Sequence, residues 1–277
     1  MRLVTYEKDG SQRVGVKIDG GVADIGYTTM LDLIRDGDRG LAQAREVEAA
    51  GASVEPDKIL APLVPEKLLF HAINFQSLVD ETEGASVPER STWFSKLPSS
   101  IIGPGDPIVK PSPETKLDWE VELAIVIGKV GKRIRVEEAM DYVFGYTVVN
   151  DVSARDIQME RPDLTLGKGC DTFCPMGPEV VLTDEITDPS ELTVATYVND
   201  ERVQFEPLSE MLFDVAHNLA ALSELVTLRP GDIVTTGTPA GLGYSMKPQR
   251  WLQPGDEVSV EVDAIGRVTN SVEAGWS

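Results

Sequence analysis

The ten residues from Asp118 to Ile127, DWEVELAIVI, constrain the fold more than any other stretch of the chain. Side chains of an extended strand alternate between faces. Trp119, Val121, Leu123, Ile125 and Ile127 then make one continuous apolar surface that a core must cover. The other face begins with Asp118, Glu120 and Glu122, which repel one another unless positive charge lies among them. Two readings of these acids stay open at this point. One is a solvent-facing strand edge, common in an acidic chain. The other is a set of oxygen ligands for a divalent cation.

A second segment bears on the choice. In VFGYTVVNDVSARD the acid Asp151 follows directly on an apolar strand, and strand ends are rigid places to mount site residues. Glu120, Glu122 and Asp151 would make an oxygen-only site suited to Mg2+ or Mn2+, with Ca2+ also admissible. Arg155 and Gln158 follow closely, and Arg155 is read equally as an ion-pair partner or a substrate contact. Lys168, in the Gly-bracketed segment TLGKGCDTFCPMGP, can reach an anion as a point charge. The TTGTPAGLG loop, 235–243, is either a plain turn or a close backbone approach to a ligand. It carries no Walker lysine motif. His71 lies in the apolar run LLFHAIN and reads as a satisfied core residue; His217 reads as a surface residue on a helix. Neither sits beside a serine or cysteine in a nucleophile context, which disfavours Ser-His-Asp chemistry.

Bulk properties narrow the function classes. A net charge of −21 over 277 residues argues against nucleic-acid binding, which needs concentrated Lys and Arg. An anionic substrate would need local positive charge against this field. No apolar run reaches the roughly 18 residues of a membrane span, and the N-terminal MRLVTYEKDG does not read as a signal peptide, so a cytoplasmic location is expected. Cys170 and Cys174 lack a second ligand pair for zinc and read as small buried hydrophobes.

The expected architecture is α+β and mainly β. Residues 1–60 read as a small N-terminal unit of three short strands followed by a helical stretch over 28–52, with Leu31, Leu33, Ile34, Leu41 and Ala50 as buried candidates. A connector punctuated by Pro56, Pro62 and Pro65 leads to a larger, strand-rich unit, 61–277. VEEAMDYV reads as a short helix. SEMLFDVAHNLAALSELV reads as an amphipathic helix with Met211, Val215, Leu219 and Leu222 on one stripe. The turns Arg229-Pro230-Gly231-Asp232 and Gln253-Pro254-Gly255-Asp256 each introduce a strand.

Four motifs, DWEVELAIVIGK, GYTVVNDVSARD, KGCDTFCPMGP and RPGDIVTTGTPAGLG, in this order, closely resemble the fumarylacetoacetate hydrolase family. The resemblance runs over about residues 65 to 272 and is stronger to the bacterial members and smaller mammalian homologues than to the longer tyrosine-pathway hydrolase. It implies a mixed β-sandwich roll, a homodimer and a Mg2+ or Mn2+ site with Glu120, Glu122 and Asp151 as ligands. It places Arg155, Gln158, Lys168 and Thr238 around a bound small 2-oxo acid, with Lys96 at the site margin. The substrates it implies are acylpyruvates, β-diketo acids, oxaloacetate and related dienoates.

The chain departs from the family at one position. Family hydrolases often carry N-Y-x-x-H-x-x-E, whose His and Glu activate water. Here the segment is Asn74-Phe75-Gln76-Ser77-Leu78-Val79-Asp80-Glu81: the glutamate is kept and leucine stands in place of histidine. Leucine cannot accept a proton. The first expectation is acylpyruvate-type C–C bond hydrolysis through a metal-stabilised enolate, with Glu81 as base and Lys168 stabilising charge. Leu78 favours the alternative, a decarboxylase of the oxaloacetate type or a hydroxydienedioate isomerase or tautomerase, because neither needs an attacking water. A metal-binding homologue without catalysis is the third reading. Specificity is expected in the polar 76–96 segment, read as a lid.

Overall fold

The computed structural model describes residues 1–161 and 164–275. Among these, eleven strands form one sheet. Its main path runs Gly21–Tyr27, Ser11–Ile18, Arg2–Lys8, Cys174–Leu182, Val143–Asn150, Val121–Ile127, Ile233–Thr235, Leu68–His71 and Trp93–Ser95. A second sheet of five strands, Glu201–Pro207, Thr193–Val198, Glu257–Val262, Gly266–Ala274 and Ile108–Lys110, packs against it. The fold is mixed α+β, as expected, and no helix among the described residues is long and apolar enough to cross a membrane.

Val121–Ile127 lies near the middle of the large sheet, and all seven of its residues are buried. One core face was anticipated; the structure has two. Val121, Leu123, Ile125 and Ile127 enter a cluster with Leu219 and Leu222 of the helix Val215–Leu225 and with Val260 and Val268 of the smaller sheet. Ala124 and Val126 enter a separate cluster with Leu3, Val14 and Phe70. The strand is covered on both sides, so its only polar surface is the end that bears the acids.

The first sixty residues share this sheet. Arg2–Lys8 pairs antiparallel with Cys174–Leu182, with Leu3 opposite Val180. Glu179, which is buried, takes ion pairs from Arg2 at 2.5 Å and Lys17 at 2.8 Å across the junction. The helical stretch divides at Gly37, whose φ of 57° ends Met30–Asp36 and begins Asp38–Ala50. Thr29 caps the first piece by accepting from the Asp32 amide at 3.1 Å. Leu33 and Ile34 are buried; Ala50 is exposed, because the second helix ends in solvent at Gly51.

The amphipathic helix starts later than its periodicity suggests. Asp214 accepts from the His217 amide at 2.8 Å and fixes the start at Val215, leaving Met211 in the preceding turn. VEEAMDY is a 3-10 helix. Both Pro-Gly-Asp turns use one device. Asp232 accepts from the Arg229 amide at 2.7 Å and Asp256 from that of Gln253 at 2.8 Å, and the glycine between takes a φ of 85° or 96°. Cys174 is buried as expected. Cys170 is only partly so, since it lies in the loop before the strand and donates to the Leu166 carbonyl.

His71 is buried but not satisfied. Its ring packs edge-on against Trp93 at 4.6 Å, and neither ring nitrogen has a hydrogen-bond partner among the described residues. Burial pushes its pKa down to about 4, against 6.5 for a free imidazole. The unfolded chain therefore takes up a proton in a range where the folded chain does not. Stability attributable to this neutral ring is complete above pH 6.5 and falls, by about 3 kcal/mol in total, as pH drops towards 4. Urea melts across this interval should show the decline, and His71→Leu should flatten it; an unchanged slope would remove His71 as its source.

Candidate active site

Antiparallel pairing of Val121–Ile127 with Val143–Asn150 sets Val121 opposite Asn150. The start of one strand and the end of the other thus share a sheet end, and Glu120, Glu122 and Asp151 converge there. The Asp151 amide donates to the Glu120 carbonyl at 2.8 Å, and the Asn150 side chain accepts from the Glu120 amide at 3.0 Å. One oxygen from each of the three carboxylates lies within 4.8 Å of the others, and all three residues are buried.

Three cations surround the acids. Lys96, wholly buried, donates to Asp151 Oδ1 at 2.5 Å and to the carbonyls of Val152 and Phe173. Lys168 donates to Asp151 Oδ2 at 2.6 Å, to Glu120 Oε1 at 3.0 Å and to Ser153 Oγ at 3.0 Å. Arg155 spans Asp118 Oδ2 at 2.9 Å and Glu120 Oε1 at 2.6 Å, and its third nitrogen donates to Gln158 Oε1 at 3.0 Å. Of the two open readings of Arg155, this geometry is that of an ion-pair partner, and the same guanidinium orients Gln158. Phe94 and Phe70 lie under the ammonium groups of Lys168 and Lys96, at 5.0 and 5.4 Å.

Protonation follows from these contacts. Burial would raise the Asp151 carboxyl, but the charges of Lys168 and Lys96 outweigh it and hold the group below its usual range. Burial would lower Lys168, but Asp151 and Glu120 reverse the sign and keep it an ammonium. For Glu122 the pull of Lys168 and of the nearby Thr235 hydroxyl is too weak to reverse the sign. Burial, with the charges of Asp151 and Glu120 added, holds it well above the ordinary carboxylate range. Its Oε2 accepts from the Gly237 amide at 2.9 Å, while Oε1 is buried without a partner.

A buried carboxylate oxygen with no donor, facing two more carboxylates, fits a hard divalent cation that takes oxygen ligands. Charge balance agrees. With Glu122 protonated, Asp118, Glu120 and Asp151 balance Lys96, Arg155 and Lys168; with Glu122 ionised the region carries one excess negative charge. A divalent cation would turn this to one excess positive charge, which suits an anionic ligand.

Asp118 faces the site but stays out of the triad. Its carboxylate accepts from Arg155 and from the amides of Gly243 and Tyr244 at 2.9 and 3.1 Å. Thr238 is buried and accepts from Gln204 Nε2 at 3.0 Å. Leu78 is buried in the main core beside Phe75 and Leu242. Glu81, expected as a base, accepts from the Gly241 amide through Oε2 at 2.7 Å and from the Leu242 amide through Oε1 at 3.2 Å.

Two contributors escaped the sequence reading. Ser153 stands two positions after Asp151, and strand alternation applied to DVS would have pointed to it. Gln204 accepts from the Val121 amide and from Thr196, and donates to Thr238 and Pro239, so it ties the smaller sheet to the loop. Nothing in ERVQFEP distinguishes it from any other strand glutamine.

Residues 68–273 match the family profile of the fumarylacetoacetate hydrolase C-terminal region. A mitochondrial oxaloacetate tautomerase of Rattus norvegicus is 40% identical over 287 residues, covering 98% of this chain and 91% of its own length. An oxaloacetate tautomerase of Bacillus subtilis (strain 168) is 38% identical over 266 residues, 88% of this chain and 86% of its own. Among solved structures, a maleylpyruvate hydrolase of Sphingobium sp. SYK-6, in complex with manganese(II) and pyruvate, superposes with a TM-score of 0.83 at 31% identity over the whole of both chains.

Glu122→Ala should abolish Mn2+ binding in calorimetry while leaving a folded protein; unchanged affinity would remove the centre. Lys96→Met should destabilise the fold by about 3 kcal/mol in urea melts, because Asp151 would keep its charge and lose a buried partner. A loss below about 1 kcal/mol would mean that Lys168 alone neutralises Asp151.

Proposed function

The chain belongs to the fumarylacetoacetate hydrolase family, and on that footing we propose that it is a divalent-metal-dependent tautomerase of a small 2-oxo dicarboxylic acid of the oxaloacetate type. The observation that carries the choice among the family's reactions is Leu78. Hydrolysis of a C–C bond requires a water activated by a base. The helix position that carries histidine in family hydrolases is here a buried leucine, and both oxygens of Glu81 are engaged by loop amides. Keto–enol interconversion moves one proton between carbon 3 and the carbonyl oxygen and consumes no water. The relatives named as oxaloacetate tautomerases support this direction.

A divalent cation, Mg2+ or Mn2+ with Ca2+ also suited to the donors, held by Glu120, Glu122 and Asp151, would supply a Lewis acid for the 2-oxo group and counter-charge for its enolate. The chain's own residues do the rest. Lys168, kept charged by Asp151 and Glu120, acts as a nearby positive charge that stabilises the oxygen on which negative charge develops, its three N–H groups being held by Asp151, Glu120 and Ser153. Arg155 fixes Glu120 and turns the amide of Gln158 towards the substrate carboxylate. Thr238 offers its hydroxyl from the 236–244 loop. Lys96 has all its donors engaged inside the chain, and its part is to neutralise and orient Asp151.

C–C hydrolysis draws support from the solved hydrolase with manganese and pyruvate, and one assay separates the readings. Purified protein with Mg2+ or Mn2+ should accelerate decay of the ultraviolet absorbance of enol-oxaloacetate, without release of carbon dioxide and without cleavage of acylpyruvates. Cleavage of acylpyruvates would favour hydrolysis, and carbon dioxide release would favour decarboxylation. Absence of all three would leave a metal-binding protein. Leu78→His should not raise acylpyruvate cleavage; a gain would mean that only the missing base had held hydrolysis back.

A further inference from the structure

We propose that Glu81 is a positioning residue: with Ser77 it clasps the helix Gln76–Glu81 onto the 236–244 loop and so holds the loop amide that orients Glu122. The inference rests on the metal centre of the proposed function and gives Glu81 a different part from the proton acceptor that the family motif implies.

Helix geometry makes the clasp possible. Ser77 and Glu81 are four residues apart, so they stand one above the other on one face. That face meets the loop. The Ala240 amide donates to Ser77 Oγ at 3.2 Å, and the next two amides, of Gly241 and Leu242, each donate to a separate oxygen of Glu81. Ser77 in turn donates to Glu206 at 2.6 Å, on the strand Glu201–Pro207. Leu78 and Val79 are buried, so apolar packing presses the same helix inward.

Charge placement points the same way. A carboxylate in the last turn of a helix faces the negative end of the helix dipole, an unfavourable position. Two converging backbone N–H groups offset that cost and are themselves donors that need an acceptor.

The loop has no slack between the clasp and the centre. Gly241 takes a φ of 102°, and a Cβ there would lie 2.1 Å from the Val203 carbonyl, so the backbone runs hard against the neighbouring strand. Gln204 holds Thr238 and Pro239. Gly237, at the near end, donates to Glu122 at 2.9 Å. The clasp and Gln204 thus fix successive parts of the loop whose Gly237 amide reaches Glu122.

Glu81→Ala and Glu81→Gln, each as the whole chain, test the clasp. Mn2+ affinity by calorimetry should fall about tenfold in Glu81→Ala and less in Glu81→Gln, whose amide oxygen still accepts one bond. Hydrogen exchange at the amides of 240–242 should quicken in the same order, and the pH dependence of remaining turnover should keep its wild-type shape. The proposal is overturned if both variants bind Mn2+ and exchange like wild type. It is also overturned if both lose turnover equally with Mn2+ affinity unchanged, the signature of a lost base. If wild type itself binds no Mn2+, the metal reading fails, and the exchange rates still decide whether the clasp exists.

Discussion

Four carboxylates, Asp118, Glu120, Glu122 and Asp151, are held out of water at one end of the central sheet, and the surrounding structure is arranged to tolerate them. Lys96, Lys168 and Arg155 neutralise most of the charge. Backbone amides supply much of what remains: Gly237 serves Glu122, and Gly243 and Tyr244 serve Asp118. This demand for amides accounts for the glycines of TTGTPAGLG. A loop that presents so many N–H groups to nearby acids must bring its backbone very close, and Gly237 and Gly241 adopt φ values that other residues rarely take. What stays unbalanced is one oxygen of Glu122, and that imbalance is the chemical opening for a cation.

The division of labour among the cations bears on catalysis. Lys96 is wholly enclosed, whereas Lys168 and Arg155 retain slight exposure. The enclosed one fixes Asp151; the other two lie nearer the surface of the cluster. Family membership alone does not separate hydrolysis from tautomerisation, because the similar proteins include an oxaloacetate tautomerase and a maleylpyruvate hydrolase. The helix Gln76–Glu81 is what supports the tautomerase proposal, since it has leucine in its core-facing position and its glutamate is tied to backbone.

Legibility from sequence followed the range of the interactions. DWEVEL and NDVSARD announced their strands and acids because alternation and strand ends are local properties. Asp151 was found from its place after an apolar run, and the pairing of Val121 with Asn150 supplied the juxtaposition. The two-sided burial of Val121–Ile127 was missed because Ala124 and Val126 look unremarkable until the N-terminal strands cover them. The break at Gly37 was overlooked because glycine within a helical pattern is compatible with continuation, as Gly40 inside Asp38–Ala50 shows. Gln204 and the anchoring of Glu81 were invisible for a stronger reason: their partners lie far away in sequence, on loop backbone that has no side-chain signature.

The seam between Arg2–Lys8 and Cys174–Leu182 has a consequence for how the chain is made. Arg2 reaches Glu179, 177 positions away. The first three strands can pair among themselves as a meander soon after synthesis, since their contacts are local. One end of that meander's edge, however, at Arg2 and Leu3, must wait for most of the polypeptide to leave the ribosome before its neighbour exists, whereas Tyr6 and Glu7 pair with the nearby Lys58–Ile59. Long-range closure of this kind is slow, and an unpaired edge is open to misassociation in the meantime.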